Sequence, residues 1–287
     1  MLPRGPVIVT GCPRSGTTAM AYPLFQRNRL FTNELEVFAT IGMSDYERSE
    51  WIREHVWNIY QGSIAAESLD VLQVLLDGCD DFRSQVEATY EFLQQEADKG
   101  AELNKHTLRD KHYSVKTEVI HPIECSNVNM IWGDKHPLLV LDPRLEAIVR
   151  TWPVDARVIY MQRDGRDVVA SHLRLRWINE DKIGELFDAW VQCYERIKVL
   201  SRVLFVRQES LLENPASVVK SLNRFLSGNV ASETDYLSYI YKHDRNDEHQ
   251  VKSMLDRRKH QGYWKKFFSP DKIPAEAKRV LQELGYS

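Results

Sequence analysis

The stretch Thr10-Gly11-Cys12-Pro13-Arg14-Ser15-Gly16-Thr17-Thr18 decides how this chain is read. It follows the β-type run Val7-Ile8-Val9 and precedes a segment able to form a helix from about Ala19. A glycine-containing loop between a strand and a helix cradles phosphate-like anions. Its backbone N–H groups and the helix N-terminus point at the ligand, and glycine lets the backbone come close. Gly11 and Gly16 fit the spacing G-x-x-x-x-G, yet Thr17 stands where the nucleotide-hydrolysing loop has its Lys. The cation lies inside the loop instead, at Arg14. Such a loop suits a phosphate-like group other than the β/γ-phosphates of a magnesium-bound triphosphate.

A second anion site is legible further along. Arg157-Val158-Ile159-Tyr160-Met161 has the pattern of a buried strand, and Gln162-Arg163-Asp164-Gly165-Arg166-Asp167 follows it. Arg163 falls at the strand end, and Ser171 about two turns into a helix beginning near Asp167. Ligands of open α/β sheets bind at the carboxyl ends of the strands, so Arg163 and Ser171 are placed to grip a second phosphate. The competing reading makes Arg163–Asp167 and Arg166–Asp164 local charge pairs at a helix start.

Together the two motifs resemble the sulfotransferases that use 3′-phosphoadenosine 5′-phosphosulfate (PAPS). In that family P-[KR]-S-G-T-T binds the 5′-phosphosulfate, and an Arg and a Ser bind the 3′-phosphate. Pro13, Arg14, Ser15, Gly16, Thr17 and Thr18 match the first pattern, and Arg163 with Ser171 the second. Val206-Arg207-Gln208-Glu209-Ser210-Leu211 is similar to the family's V-R-Y-E-D-L strand-to-helix segment. Gly133-Asp134-Lys135-His136-Pro137 is similar to the G-D/E-K-T-P segment of carbohydrate-type and bacterial members. The resemblance reaches the C-terminal Glu283-Leu284-Gly285-Tyr286 and is weakest between about residues 40 and 125.

The resemblance implies PAPS as co-substrate, 3′,5′-ADP as product, no metal, and three catalytic roles. Sulfuryl transfer is in-line, so positioning and charge stabilisation supply most of the catalysis. Arg14 matches the cation that stabilises the leaving nucleotide's bridging oxygen. The base matches Glu34 or Glu36, with Glu34 favoured because it sets Val37 and Phe38 on the apolar positions of the family's E-x-x-F-F. A His base, as in cytosolic members, points to His136. Lys135 matches the lysine that neutralises the transferring oxygens, against an ordinary exposed Lys paired with Asp134. Arg257, Arg258 and Lys259 match the basic segment that covers the 3′-phosphate, or form a solvated charge run. Two departures stand out. Ala19 replaces the Trp that stacks near adenine in cytosolic members, leaving Trp264 or Phe268 for that task. Gln208 replaces the Tyr of Y-E-D.

Composition is ample for a core. The 287 residues are 43% hydrophobic with a formal charge of −3, which gives no whole-chain attraction to nucleic acid. No apolar stretch approaches the roughly 18 residues of a membrane span. Strand one and its loop fill the first eighteen residues, so a soluble cytoplasmic enzyme is expected, without the anchor of Golgi members. The four cysteines (Cys12, Cys79, Cys125 and Cys193) form no C-x-x-C pair and are expected to be free thiols. Cys12 either has its pKa lowered by the helix N-terminus or simply fills a tight turn.

The expected fold is α/β: a single P-loop-type domain, residues 1–287, with a central parallel sheet flanked by helices. Strands are expected at Pro6–Thr10, Val128–Trp132, Arg157–Met161 and Val203–Arg207. Helical spacing of Leu69, Leu72, Leu75, Leu76, Phe82, Val86, Tyr90 and Leu93 predicts an inserted helical pair within about residues 60–110, expected to shape the acceptor pocket. Further helices are expected at Ile183–Ile197, Pro215–Leu226 and Pro274–Leu284. The function implied is sulfuryl transfer from PAPS to a hydroxyl of a small molecule or glycan (a sugar, glycolipid, natural product or peptide tyrosine) by a monomer or homodimer. The alternatives are a P-loop small-molecule kinase, disfavoured by the missing loop Lys, and a catalytically silent nucleotide-binding homologue.

Overall fold

The computed structural model describes residues 5–27, 31–33, 38, 50, 64–100, 131–228 and 262–286. Five parallel strands make one sheet: β1 (Val7–Gly11), β2 (Phe31–Asn33), β3 (Gly133–Lys135), β4 (Arg157–Gln162) and β5 (Val203–Arg207), in the order β2-β3-β1-β4-β5. The helices are α1 (Thr17–Arg27), α2 (Ala66–Asp77), α3 (Phe82–Asp98), α4 (Pro143–Thr151), α5 (Gly165–Arg174), α6 (Ile183–Ile197), α7 (Gln208–Glu213), α8 (Pro215–Leu226) and α9 (Ala275–Glu283). None of the described helices is long and apolar enough to cross a membrane.

Central β1 is buried along its whole length, and its side chains alternate between two cores. Ile8, Val158 and Tyr160 face a layer built from α2 to α6 and α9, including Trp132, Phe187 and Trp190. Val7, Val9, Ile159 and Met161 face the opposite layer, with Met20 and Leu24 of α1 and Leu222 of α8. The result is a three-layer α/β domain.

Local chemistry sets the helix ends. Asp142 accepts a hydrogen bond from Arg144 N at 2.9 Å before α4, and Asp164 accepts one from Arg166 N at 2.9 Å before α5. Asn214 accepts from Ser217 N at 3.2 Å before α8, whose first residue is Pro215. Three described helices end in paired capping bonds around a left-handed residue; at α8 it is Ser227 (φ 57°), with Gly228 N donating to Asn223 O at 3.0 Å. At α9 this residue is Gly285, with Tyr286 N donating to Leu281 O at 2.8 Å. At α5 it is Arg176 (φ 55°), with Trp177 N donating to His172 O at 3.1 Å.

Most expected elements appear within a residue or two of their anticipated bounds, and one strand is displaced. The third core strand is Gly133–Lys135, whereas Ile131 and Trp132 of the expected Val128–Trp132 are not strand and 128–130 lie outside the described residues. Its pairing with β1 starts at Gly133 opposite Val7. A Cβ at Gly133 would stand 1.9 Å from Val7 O, so only glycine permits this approach. Trp132 turns into the core instead, edge-on to Tyr90 at 4.9 Å. The helical pair is present as α2 and α3, with Leu69, Leu72, Leu76, Val86, Tyr90 and Leu93 buried, but Leu75 lies on the exposed side of α2. Strand β2 had no counterpart in the sequence reading.

Candidate active site

Strand order reverses direction around β1, whose neighbours are β3 and β4. The carboxyl ends of these three strands therefore form the crevice where α/β sheets bind ligands. Register puts Lys135 opposite Val9 and Met161 opposite Gly11, so the loop after β1, Lys135 and Arg163 share one edge.

The loop is held in a strained conformation. Arg14 has φ 72° and Gly16 φ 91°, both in the left-handed region. Ser15 N donates to Cys12 O at 3.0 Å, and Met20 N to Gly16 O at 3.1 Å opens α1. A Cβ on Gly16 would lie 2.9 Å from Gln208 Nε2, so the loop rests against the buried first residue of α7. Ser15 Oγ is buried and has no hydrogen-bond partner among the described residues, which suits an anion in the cradle.

Three sequence-predicted residues meet here. Arg163, 7% exposed, donates through Nη1 to the backbone carbonyl of Arg14 at 2.7 Å. Arg14 Nε donates to Ser171 Oγ at 3.2 Å. Burial pulls the Arg163 pKa down, opposed by the carboxylates of Asp167, Glu209 and Asp164. The guanidinium stays charged, as arginine does in proteins. Trp190 Nε1 donates to Arg163 O at 3.1 Å and fixes the strand end. Arg166 does pair with Asp164 at 2.7 Å, the local charge pair that the sequence also offered, while Arg163 turns to the Arg14 carbonyl.

Lys135 is 1% exposed. This corrects the view of it as an ordinary surface lysine: a charge so buried needs compensation built around it. His136 donates its backbone N–H to Val9 O at 3.0 Å, and its Nδ1 has no partner among the described residues. Glu34, Glu36, Arg257, Arg258, Lys259 and Cys125 lie outside the described residues.

The tight-turn reading of Cys12 holds, and the expectation of adenine stacking on Trp264 or Phe268 is corrected. The Cys12 pKa is raised, by a hydrogen bond with Cys193 and by burial, so Cys12 is a protonated space-filler rather than an activated thiolate. Trp264 and Phe268 are both buried, packed 5.3 Å apart, with the Arg166 guanidinium 5.2 Å from the Trp264 ring. Neither offers an open face to a base.

The structure adds residues that sequence reasoning passed over. Trp177 is 59% exposed, has the Arg14 guanidinium 5.2 Å from its ring, and meets His172 edge-on at 5.3 Å. The left-handed Arg176 swings it there. His172 Nε2 lies 3.4 Å from the Pro13 carbonyl. Burial lowers the His172 pKa; the Pro13 contact opposes this, while Arg14 and Arg163 add to it. A neutral imidazole with Nε2 protonated thus braces the loop.

Comparison with known proteins agrees with this architecture. No curated protein matches the sequence significantly. Among solved structures, a sulfotransferase domain from the curacin biosynthetic pathway is 18% identical with a TM-score of 0.61, covering 100% of this chain and 99% of that one. The sulfotransferase domain of the Synechococcus PCC 7002 olefin synthase is 16% identical with a TM-score of 0.58, covering 100% of this chain and 96% of the other. At such identities the likeness establishes the fold. The model of the sulfotransferase family matches residues 6–231, and with that match the chain belongs to the sulfotransferase family.

Proposed function

We propose that this enzyme transfers a sulfuryl group from PAPS to a hydroxyl of a small-molecule or glycan acceptor. One observation carries the reading: Arg14, Arg163 and Ser171, from two motifs far apart in sequence, are linked by hydrogen bonds at the mouth of a strained anion loop. Two anion-binding features this close suit a donor bearing phosphate groups at both its 5′ and 3′ positions. The unpartnered buried Ser15 hydroxyl fits the same ligand.

In this reading the loop N–H groups, Ser15, Thr17 and Thr18 hold the 5′-phosphosulfate, and Arg163 with Ser171 holds the 3′-phosphate. The donor supplies an activated sulfuryl group with a stable leaving nucleotide. Arg14 donates to the bridging oxygen as charge develops, and Lys135 neutralises the sulfuryl oxygens from the end of β3. Strand β2 ends at Asn33, opposite Lys135, and Glu34 is the next residue in the chain. Glu34 accepts the acceptor's proton, with Glu36 and His136 as the rivals. Helices α2 and α3, inserted between β2 and β3, shape the acceptor side.

Calorimetric titration with 3′,5′-ADP, without metal, tests the donor. Micromolar binding that is lost in Arg163→Ala, and not matched by ATP, is expected. Failure to bind 3′,5′-ADP, or magnesium-dependent binding of ATP, overturns the reading.

A further inference from the structure

The residue after Arg163 is tied to the C-terminus of the chain. Asp164 N donates to Glu209 Oε1 at 3.3 Å, and the other oxygen of Glu209 accepts from the Tyr286 hydroxyl at 3.2 Å. Burial and the Glu209 charge push the Tyr286 phenol well above its ordinary pKa, so it remains a donor. The Tyr286 ring is also held: the Arg207 guanidinium lies 5.1 Å from its centroid, and Arg207 Nη2 donates to Leu284 O. The left-handed Gly285 makes this possible, because the cap at the end of α9 turns Tyr286 back toward β5. One carboxylate thus bridges the penultimate residue of the sequence and the backbone beside the candidate 3′-phosphate arginine.

We infer that Tyr286, acting through Glu209, is a positioning residue that sets Arg163 for recognition of the donor's 3′-phosphate. The inference rests on the donor reading above. Arg163 is fixed at three points: its carbonyl by Trp190, its guanidinium by Arg14 O, and the following amide by Glu209. Only the last of these depends on the C-terminus. Loosening it lets the backbone at Arg163–Asp164 drift, and a bidentate guanidinium–phosphate contact is sensitive to small displacements. The loop that receives the 5′ end is built on β1 and α1 and meets this network only indirectly, through the Arg163 bond to Arg14 O and the seat of Gly16 against Gln208.

The test compares two nucleotides. Calorimetry gives the affinities of 3′,5′-ADP and of 5′-AMP, which lacks the 3′-phosphate, for wild type, Tyr286→Phe and Glu209→Gln. Tyr286→Phe keeps the ring beneath Arg207 and removes only the hydroxyl. It is expected to weaken 3′,5′-ADP by about fivefold to tenfold and 5′-AMP by clearly less, so that the ratio of the two affinities falls. Glu209→Gln does the same, and the double variant loses less than the two effects combined. Glu209→Gln carries the test alone if Tyr286→Phe fails to fold. An unaltered ratio of the two affinities, or an equal loss for both nucleotides, overturns the inference, since a purely structural role predicts no selectivity. A wild type that binds 5′-AMP as tightly as 3′,5′-ADP overturns the 3′-phosphate assignment itself and the positioning role with it.

Discussion

Replacing Gly16 with alanine tests the strain in the anion loop directly. Two separable costs follow from the structure. Gly16 has φ 91°, where an L-residue pays about 1–2 kcal/mol. The new Cβ would also stand 2.9 Å from Nε2 and 3.1 Å from Cγ of Gln208. Gln208 is 4% exposed, so its side chain has little room to retreat. Forcing it off its rotamer costs about 0.5–1.5 kcal/mol. The sum of about 1.5–3.5 kcal/mol corresponds to a fall in Tm of roughly 2–6 °C for a domain of this size. Scanning calorimetry measures it, and titration with 3′,5′-ADP follows the accompanying loss of donor affinity. The double variant Gly16→Ala/Gln208→Ala separates the two costs. It relieves the steric part and leaves the backbone part, so a coupling of about 1 kcal/mol is expected. A Gly16→Ala protein that melts within about 1 °C of wild type would refute the argument, because the loop would then not be held at positive φ against α7.

Three further outcomes are expected, the first two from the proposed roles of Glu34 and Lys135. Glu34→Gln lowers turnover about 10²- to 10⁴-fold with donor affinity retained, while Glu36→Gln has a far smaller effect; steady-state kinetics of both variants decide which carboxylate is the base. Lys135→Met lowers turnover at least about 10²-fold by removing a charge from the transferring group, yet the apolar side chain suits the buried site, so the melting temperature holds up better than activity. His172 makes stability pH-dependent. Its pKa is depressed in the folded state, mainly by burial, so its stabilisation is full above the unfolded value of about 6.5 and is lost as pH falls toward and through the folded value. His172→Asn should therefore flatten the loss of stability below about pH 6.5 in urea titrations at stepped pH, and an unchanged slope would contradict this.

Much of the fold was legible because its signals are local. The buried runs of β1, β4 and β5, and the apolar spacing of α6, α8 and α9, stand out in the sequence alone. Strands β2 and β3 do not. Each has three residues, and β3 reads Gly-Asp-Lys, with no hydrophobic periodicity to mark it. What makes it a strand is a neighbour on each side and a glycine that lets β1 approach, both long-range facts. The more apolar residues just before it drew the sequence reading away. The site follows the same division. Arg14, Arg163, Ser171 and Lys135 lie in motifs, so the sequence alone singles them out as candidates. Trp177 depends on a left-handed arginine that no propensity foretells. The Glu209–Tyr286 bond joins residues 77 apart. Trp264 and Phe268 misled because exposure cannot be judged from an aromatic pair without its neighbours.

The contact from Arg163 to Arg14 ends on a backbone oxygen, not on the side chain of position 14. The scaffold therefore grips position 14 twice over: its main chain through Arg163, and its side chain separately through Ser171 Oγ and beside the Trp177 ring. A different cation there would meet the same carbonyl grip, the same buried Ser15 and the same seat against Gln208. On the proposed reading, the frame at this residue behaves as a socket for the main chain, and the proposed catalytic cation as a plug seated by its own contacts. On that reading, Arg14→Lys would change the cation while keeping the carbonyl contact from Arg163, and would give up the bond to Ser171 Oγ.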